Sequence, residues 1–457
     1  MTLTLAMIAG AIIVRSLLAR VLDRWLAGPA TAMLVMGALA PLLTSGSAVE
    51  ALNTTVAQHV VEVVLALLLF SDATMVRGGR LFGSHPRLLA RVLLLAMPLS
   101  IGLTVALGVP LLGGPGAQGG LTWPVLLVIA CIVVPTDFAA AERLLKHTRL
   151  SSRVRTTLNL ESGYNDALIS PLFLFAIALA VGPRGQEDPL GGLATALPYA
   201  LKALVVGVVV GAALAGGLHA AAARGWVDAS ARRMLVLMAP LLTYAVTLAW
   251  NGNGFVASFV AGAVFANVHR VVAALAARTR PDGERQQLLL TREEDFRFLH
   301  DVTGLAVMAV WFLVGSACVL AFAGGVPWPV LLFTLVALTL VRLLPVWVGT
   351  ARSGMPGRER VLLGVLGARG TTSIVFGLLA YNSLTGVVAD TVLLITVLTL
   401  LGSVLLHGPL ANPLIQRLTR APRPASPAAS PAASPAASEA AAQDGPSQDG
   451  PSQDPRH

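Results

Sequence analysis

Charge is what this sequence most lacks. Only 12% of its 457 residues are Asp, Glu, Lys or Arg, against about 25% in an ordinary soluble domain. Meanwhile 55% are hydrophobic, and the mean hydropathy is +0.76. So little charge cannot clothe a soluble core of this size. Cysteine is scarce too. Cys131 and Cys318 both lie inside apolar stretches, which excludes a disulfide framework or a thiolate metal site and leaves two small packing residues. The chain has no His cluster at metal-ligand spacing, no Gly-x-Ser-x-Gly and no phosphate-binding glycine loop, so the common enzyme readings fall away and no cofactor is expected. Aromatics make up 5% and do not interleave with the basic residues. The net charge of +9 is therefore not a nucleic-acid face.

What is present is a succession of apolar runs of roughly 20 residues, each long enough to cross a hydrocarbon core of about 30 Å. The expectation is an all-α polytopic membrane protein, bathed in lipid, with about thirteen segments: 3–26, 29–45, 54–76, 87–113, 121–146, 153–182, 193–223, 231–250, 254–277, 298–324, 327–350, 358–382 and 387–416. The N-terminus is apolar from Thr2 and has no small-residue cleavage site, so it reads as the first span rather than a removed leader.

Basic residues test the count. Arg24; Arg77, Arg80 and Arg87; Arg143, Lys146, Arg149, Arg153 and Arg155; Arg224, Arg232 and Arg233; Arg278–Arg297; and Arg352, Arg358 and Arg360 fall in alternate connections. The other connections carry almost none, Arg184 excepted. Positive residues mark the cytoplasmic side, so the expected topology has the N-terminus outside and the C-terminus in the cytoplasm of a cell-membrane protein. The connection 278–297 reads as a mixed-charge cytosolic surface helix. Residues 1–416 form the membrane domain, and 417–457, rich in Pro, Ala, Ser and Gln, read as a disordered cytoplasmic tail.

Ionisable side chains inside such segments are costly and by default functional. The acids are Asp72, Asp137, Glu161 and Asp166; the bases are Arg15, Arg342 and Arg369. Asp137 stands in Val133-Val134-Pro135-Thr136-Asp137-Phe138. Pro135 lacks an amide hydrogen and disfavours helical geometry at Val134, so segment five should break there. Broken backbone beside Thr136 and Asp137 offers carbonyls and a carboxylate to a hard cation. In segment six, Glu161, Ser162, Asn165 and Asp166 fall on one broad helical face. Segment twelve carries Gly364-Val365-Leu366-Gly367-Ala368-Arg369-Gly370-Thr371-Thr372-Ser373, a second loosened helix. Arg369 there either offsets backbone dipoles or pairs with an acid, Glu161 being the candidate. Segments five and twelve would correspond in two inverted six-helix repeats joined by segment seven, and paired broken helices point to a midplane transport site. Asp72, ending segment three, either lines an access path or sits at the interface near Arg77. Arg15 and Arg342, nearer the cytosolic ends, can snorkel.

At these residues the chain resembles the monovalent cation:proton antiporters, in particular the electroneutral sodium/proton exchanger branch. Thr136-Asp137, Glu161-Ser162-Gly163-Tyr164-Asn165-Asp166, Gly367-Ala368-Arg369-Gly370, the glycine-bearing helix 255–267 and the acid at Asp72 occur in that family's order. The resemblance spans about 1–416. It implies a core of segments four to six and eleven to thirteen with two crossed, discontinuous helices, a scaffold that dimerises, and exchange of Na+ or Li+ for H+ by alternating access. Asp166 would carry proton or cation, and Asp137, Ser162 and Thr136 would help hold Na+. Asn165 would shape the site, and Glu161 with Arg369 would form a structural pair. A K+/H+ exchanger on the same fold and a non-transporting membrane sensor remain alternatives.

Overall fold

In hydrocarbon every backbone N–H and C=O must be satisfied within the protein, which favours helices that pair their own groups. The computed structural model follows that rule: all regular structure among its described residues is helical. It describes residues 2–25, 28–44, 55–75, 85–113, 121–138, 141, 149–181, 189–278, 282–408 and 410–419. Residues 420–457, which hold most of the expected tail, lie outside them, as do Arg77, Arg80, Arg143, Lys146 and Arg184.

The helices are α1 (Thr2–Leu17), α2 (Ala19–Trp25), α3 (Pro29–Thr44), α4 (Thr55–Met75), α5 (Pro86–Leu112) and α6 (Trp123–Val133). There follow α7 (Ser152–Val181), α8 (Pro189–Ala223), α9 (Ala229–Ala249), α10 (Gly254–Arg278) and α11 (Asp282–Ala323). The chain continues with α12 (Trp328–Gly349, interrupted at Thr339), α13 (Gly357–Val365), α14 (Thr371–Ser383), α15 (Gly386–His407) and α16 (Ala411–Thr419). Eight helices among the described residues are long and apolar enough to span a membrane, and shorter apolar helices accompany them. The chain is a multi-pass membrane protein.

Three local expectations change. The connection read as a surface helix before a span starting at 298 is helical from Asp282 and continuous with that span, because α11 runs unbroken for 42 residues. Helix α16 extends through Thr419, three residues beyond the boundary drawn at 416. Val134 keeps right-handed helical geometry and donates to the Ala130 carbonyl at 3.0 Å. The helix therefore leaves its path at Pro135 itself, where the next amide donor is missing, and not one residue earlier.

Packing divides the helices into two sets. In one, α5 lies against α6 and α12, α6 against α7 and α14, and α15 against α12 and α14. In the other, α8, α9 and α10 pack together and α3 packs along α11. The sets also meet: α4 touches α10 and α11 on one side and α7 and α14 on the other, α11 packs on α14 and α15, and α7 packs on α8 and α10. Without a hydrophobic force between helices in lipid, close backbone approach takes over. Gly207 and Gly211 of α8 face Ala257 and Ala261 of α10, and a Cβ on either glycine would fall within 2.7 Å of an alanine carbonyl. Gly37 of α3 and Gly315 of α11 interlock in the same manner, tied by the Ser316 hydroxyl donating to the Gly37 carbonyl at 3.0 Å. Exposed Trp226, Trp250 and Trp328 stand at helix ends, as interfacial aromatics do. Arg224 covers the Trp226 ring at 5.2 Å, and Arg360 covers Trp347 at 4.0 Å.

Candidate cation-binding site at the crossing of two broken helices

Segment five leaves helical structure after Val134, and segment twelve between Val365 and Thr371. The two non-helical stretches meet. The Asp137 N–H donates to the Ala368 carbonyl at 2.8 Å. Every buried backbone group needs a partner, so each helical bond that the breaks open must be replaced on both its donor and its acceptor side.

Three of these replacements build the site. A continuous helix would bond Asp137 N–H to the Val133 carbonyl. Here that carbonyl accepts instead from Arg369 Nε at 2.7 Å. A continuous helix would bond Thr371 N–H to the Gly367 carbonyl. Here the amide donates to Asp137 Oδ2, and the carbonyl accepts from the Arg369 guanidinium. It would also bond Arg369 N–H to the Val365 carbonyl. Here the amide donates to Ser403 Oγ at 2.7 Å, and the carbonyl faces His407 Nε2 at 2.9 Å. The electrostatics match: Asp137 sits at the positive N-terminus of α14, and Arg369 at the negative C-terminus of α6. Gly370 is needed for close approach, since a Cβ there would lie 2.5 Å from Asp137 Oδ2.

Helix α7 brings the remaining groups. Asn165 Nδ2 donates to the Thr136 carbonyl at 2.9 Å and to Thr136 Oγ1 at 2.8 Å. That pins segment five to α7 at the break. Thr372 Oγ1 donates to Asp166 Oδ2 at 2.5 Å. Asn165 Oδ1 and Asp166 Oδ1 are buried with no hydrogen-bond partner among the described residues. Ser162 lies half-buried one turn before Asp166 on the same helix. Asp72, on α4, is within electrostatic reach of both Asp137 and Asp166. The Asp137 and Asp166 carboxylates, the Thr136 and Thr372 hydroxyls and the Asn165 amide oxygen thus gather where two helices cross, with Asp72 within electrostatic reach. Two turns beyond Asp166 on α7, Phe173 stacks on Phe376 of α14 with ring centroids 4.4 Å apart.

The expected pairing of Glu161 with Arg369 is not what the structure has. Glu161 is held by Arg342, with bonds of 2.7 and 2.9 Å to its two oxygens. Arg342 does not snorkel; it is 5% exposed and also reaches the Leu363 carbonyl. Arg369, 1% exposed, is occupied by the carbonyls of Val133 and Gly367 instead. Its work is dipole compensation, the other option its sequence context left open. The reason is reach: Gly367 lacks a side chain, and a Cβ there would collide with the Arg342 guanidinium. That notch admits Arg342 to Glu161. Thr372 was read only as part of the loosened segment, and Ser403 and His407 went unread in sequence, although His407 is an ionisable group within an apolar segment, which is itself a signal.

A membrane helix bundle with two interrupted helices crossing over buried carboxylates is the architecture of an ion-coupled secondary transporter. Residues 5–417 match the family described as sodium/hydrogen exchanger, transmembrane, and the chain belongs to that family. The fold is similar to that of the sodium proton antiporter MjNhaP1 from Methanocaldococcus jannaschii. TM-scores are 0.67 and 0.66 for two structures of it, at 18% identity, covering 92% of this chain and 99% and 98% of theirs. The K(+)/H(+) antiporters NhaP2 of Shewanella strains MR-4 and MR-7 are each 30% identical over 149 residues. That stretch is 32% of this chain and only 25% of those relatives' length.

Proposed function

We propose that this protein exchanges Na+, or Li+, for H+ across the membrane by alternating access, with cation and proton competing for Asp166. The observation that carries the reading is the convergence of Asp137 and Asp166 on the first turn of α14. One accepts from the Thr371 amide and the other from the Thr372 hydroxyl, while Asp166 Oδ1 stays unpartnered. A hard monovalent cation takes oxygen ligands, here Asp166, Asp137, Ser162 and the second lone pair of the Thr136 carbonyl, with Asp72 on the approach. Asn165, Glu161 and Arg369 keep these groups in place.

Burial disfavours the ionised carboxylate, and a neighbouring cation favours it. One site therefore holds either a proton or a cation. Either occupant neutralises charge, which lets the core move. An empty, charged site crosses poorly, because charge in hydrocarbon is costly. The cycle needs no cofactor and no covalent step. In this reading the α5–α7 and α12–α15 set moves against the α3 and α8–α11 set, across the contacts of α4, of α7 with α8 and α10, and of α11 with α14 and α15. The same reading has the scaffold pairing two copies in the cell membrane, with the N-terminus outside and the C-terminus in the cytoplasm.

The test is pH reported by a dye inside proteoliposomes holding purified protein, with Na+, Li+ or K+ added in turn and Asp166→Asn alongside. Proton movement driven by Na+ and lost in the folded variant is the expected result. A response to K+ alone would favour the second reading, which rests on the partial likeness to the K(+)/H(+) antiporters. Silence to every cation from folded protein would leave the sensor reading.

A further inference from the structure

Helix α15 carries Ser403 and His407 four residues apart, so both face the break in segment twelve. Ser403 is 1% and His407 3% exposed. Between them they hold the two halves of one opened helical bond: Ser403 Oγ takes the Arg369 N–H, and His407 Nε2 serves the Val365 carbonyl. Both ring nitrogens face carbonyls at 2.9 Å, Nε2 that of Val365 and Nδ1 that of Ser403, and a carbonyl can only accept, so a neutral ring donates to one of them at a time. The Ser403 hydroxyl lies 3.3 Å from Nδ1 and from the Arg369 carbonyl. The two side chains also lock each other.

Arg369 N–H and the Val365 carbonyl are the donor and acceptor that would bond if α13 continued into α14. Were they released, that bond could re-form and the helix would wind forward by about a turn. Winding would draw the Arg369 guanidinium off the Val133 carbonyl and carry Thr371 away from Asp137. From this we infer that Ser403 and His407 are positioning residues for ion exchange, a clamp that keeps segment twelve unwound. Neither touches the ion. Both act through Arg369 and Thr371 on the geometry of Asp137. The inference rests on the exchange reading for its consequence, but the clamp itself is measurable apart from transport.

The experiment compares Ser403→Ala, His407→Ala and their double variant with Ser403→Thr, His407→Gln and Leu405→Ala. The threonine keeps a hydroxyl, the glutamine keeps an N–H donor, and Leu405 is 60% exposed on the same helix. Two readouts are taken in the full-length protein: backbone hydrogen exchange over 365–372, and the apparent KM and maximal rate for Na+ in proteoliposomes. The alanine variants should alter hydrogen exchange in that stretch while leaving 152–181 unchanged. They should raise the apparent KM about tenfold, the scale of one or two lost buried hydrogen bonds. Ser403→Thr and His407→Gln should recover most of both, and Leu405→Ala should match the wild type. Wild-type hydrogen exchange and wild-type KM in the double variant would overturn the clamp. So would a uniform fall in thermal stability with KM unchanged, since that is what a merely structural role predicts. If the wild type itself does not exchange cations, the transport reading fails, and the hydrogen-exchange arm still decides the clamp.

Discussion

Arg342 grips Glu161 through both of its carboxylate oxygens, at 2.7 and 2.9 Å, across 181 residues of sequence. Both side chains are nearly sealed, 6% and 5% exposed. The pair fastens α7, which carries Asp166, to α12, beside the second broken helix. Removing one partner leaves a buried charge alone, at a cost of about 3–5 kcal/mol. Arg342→Met should therefore lower thermal stability sharply in detergent, and Glu161→Leu combined with Arg342→Met should recover most of it. Equal melting temperatures for the single and double variants would contradict the pairing.

Thr372→Val removes the hydroxyl that donates to Asp166 Oδ2 while keeping the side chain's volume. That bond favours the ionised carboxylate. Without it, Asp166 holds its proton more firmly, and the cation competes less well at a given pH. The pH profile of exchange should move to the alkaline side by about one unit, with the apparent KM for Na+ raised most at low pH. An unmoved profile would detach Thr372 from the competition.

Gly370→Ala tests the crossing directly. The added methyl would meet the Asp137 carboxylate at 2.5 Å and push it from the Thr371 amide. Exchange should fall at least about tenfold, equivalent to one lost charge-assisted bond, in protein that still elutes as a folded species. Gly367→Ala should act differently, weakening the Arg342–Glu161 pair and therefore stability first. Size-exclusion and melting measurements beside transport separate the two.

Gly211→Val lies far from the ion site in the α8–α10 contact, where a Cβ would come 2.7 Å from the Ala261 carbonyl. Overpacking of this kind costs about 1–3 kcal/mol. The melting temperature should fall while the apparent KM of the remaining folded protein stays at its wild-type value. A changed KM would mean that the scaffold contact communicates with the site.

Much of the site was legible before any coordinates. Pro135 beside Thr136-Asp137 marked one break, Gly367–Gly370 the other, and the 161–166 face marked the acids, because charge and broken backbone are rare in apolar segments and stand out. The partners of those groups were not legible. Arg342 reads as a snorkelling residue when only its distance from a segment end is known. Its burial depends on the notch at Gly367, 25 positions further along the chain. Ser403 and His407 went unread because neither is an acid or an arginine, and their use depends on which backbone groups the opposite helix leaves open.

By itself, then, the sequence determined the solvent, the helical class, the places where two helices fail and the carboxylates gathered there. Each of these follows from local quantities: side-chain polarity, a missing amide hydrogen, and spacing along one helix. Only the tertiary structure decided which arginine neutralises which charge, that Asp137 caps α14 while Arg369 caps α6, and that α15 holds the gap open. Hydrogen bonds act over about 3 Å, so these assignments exist only once helices distant in sequence are packed within that reach.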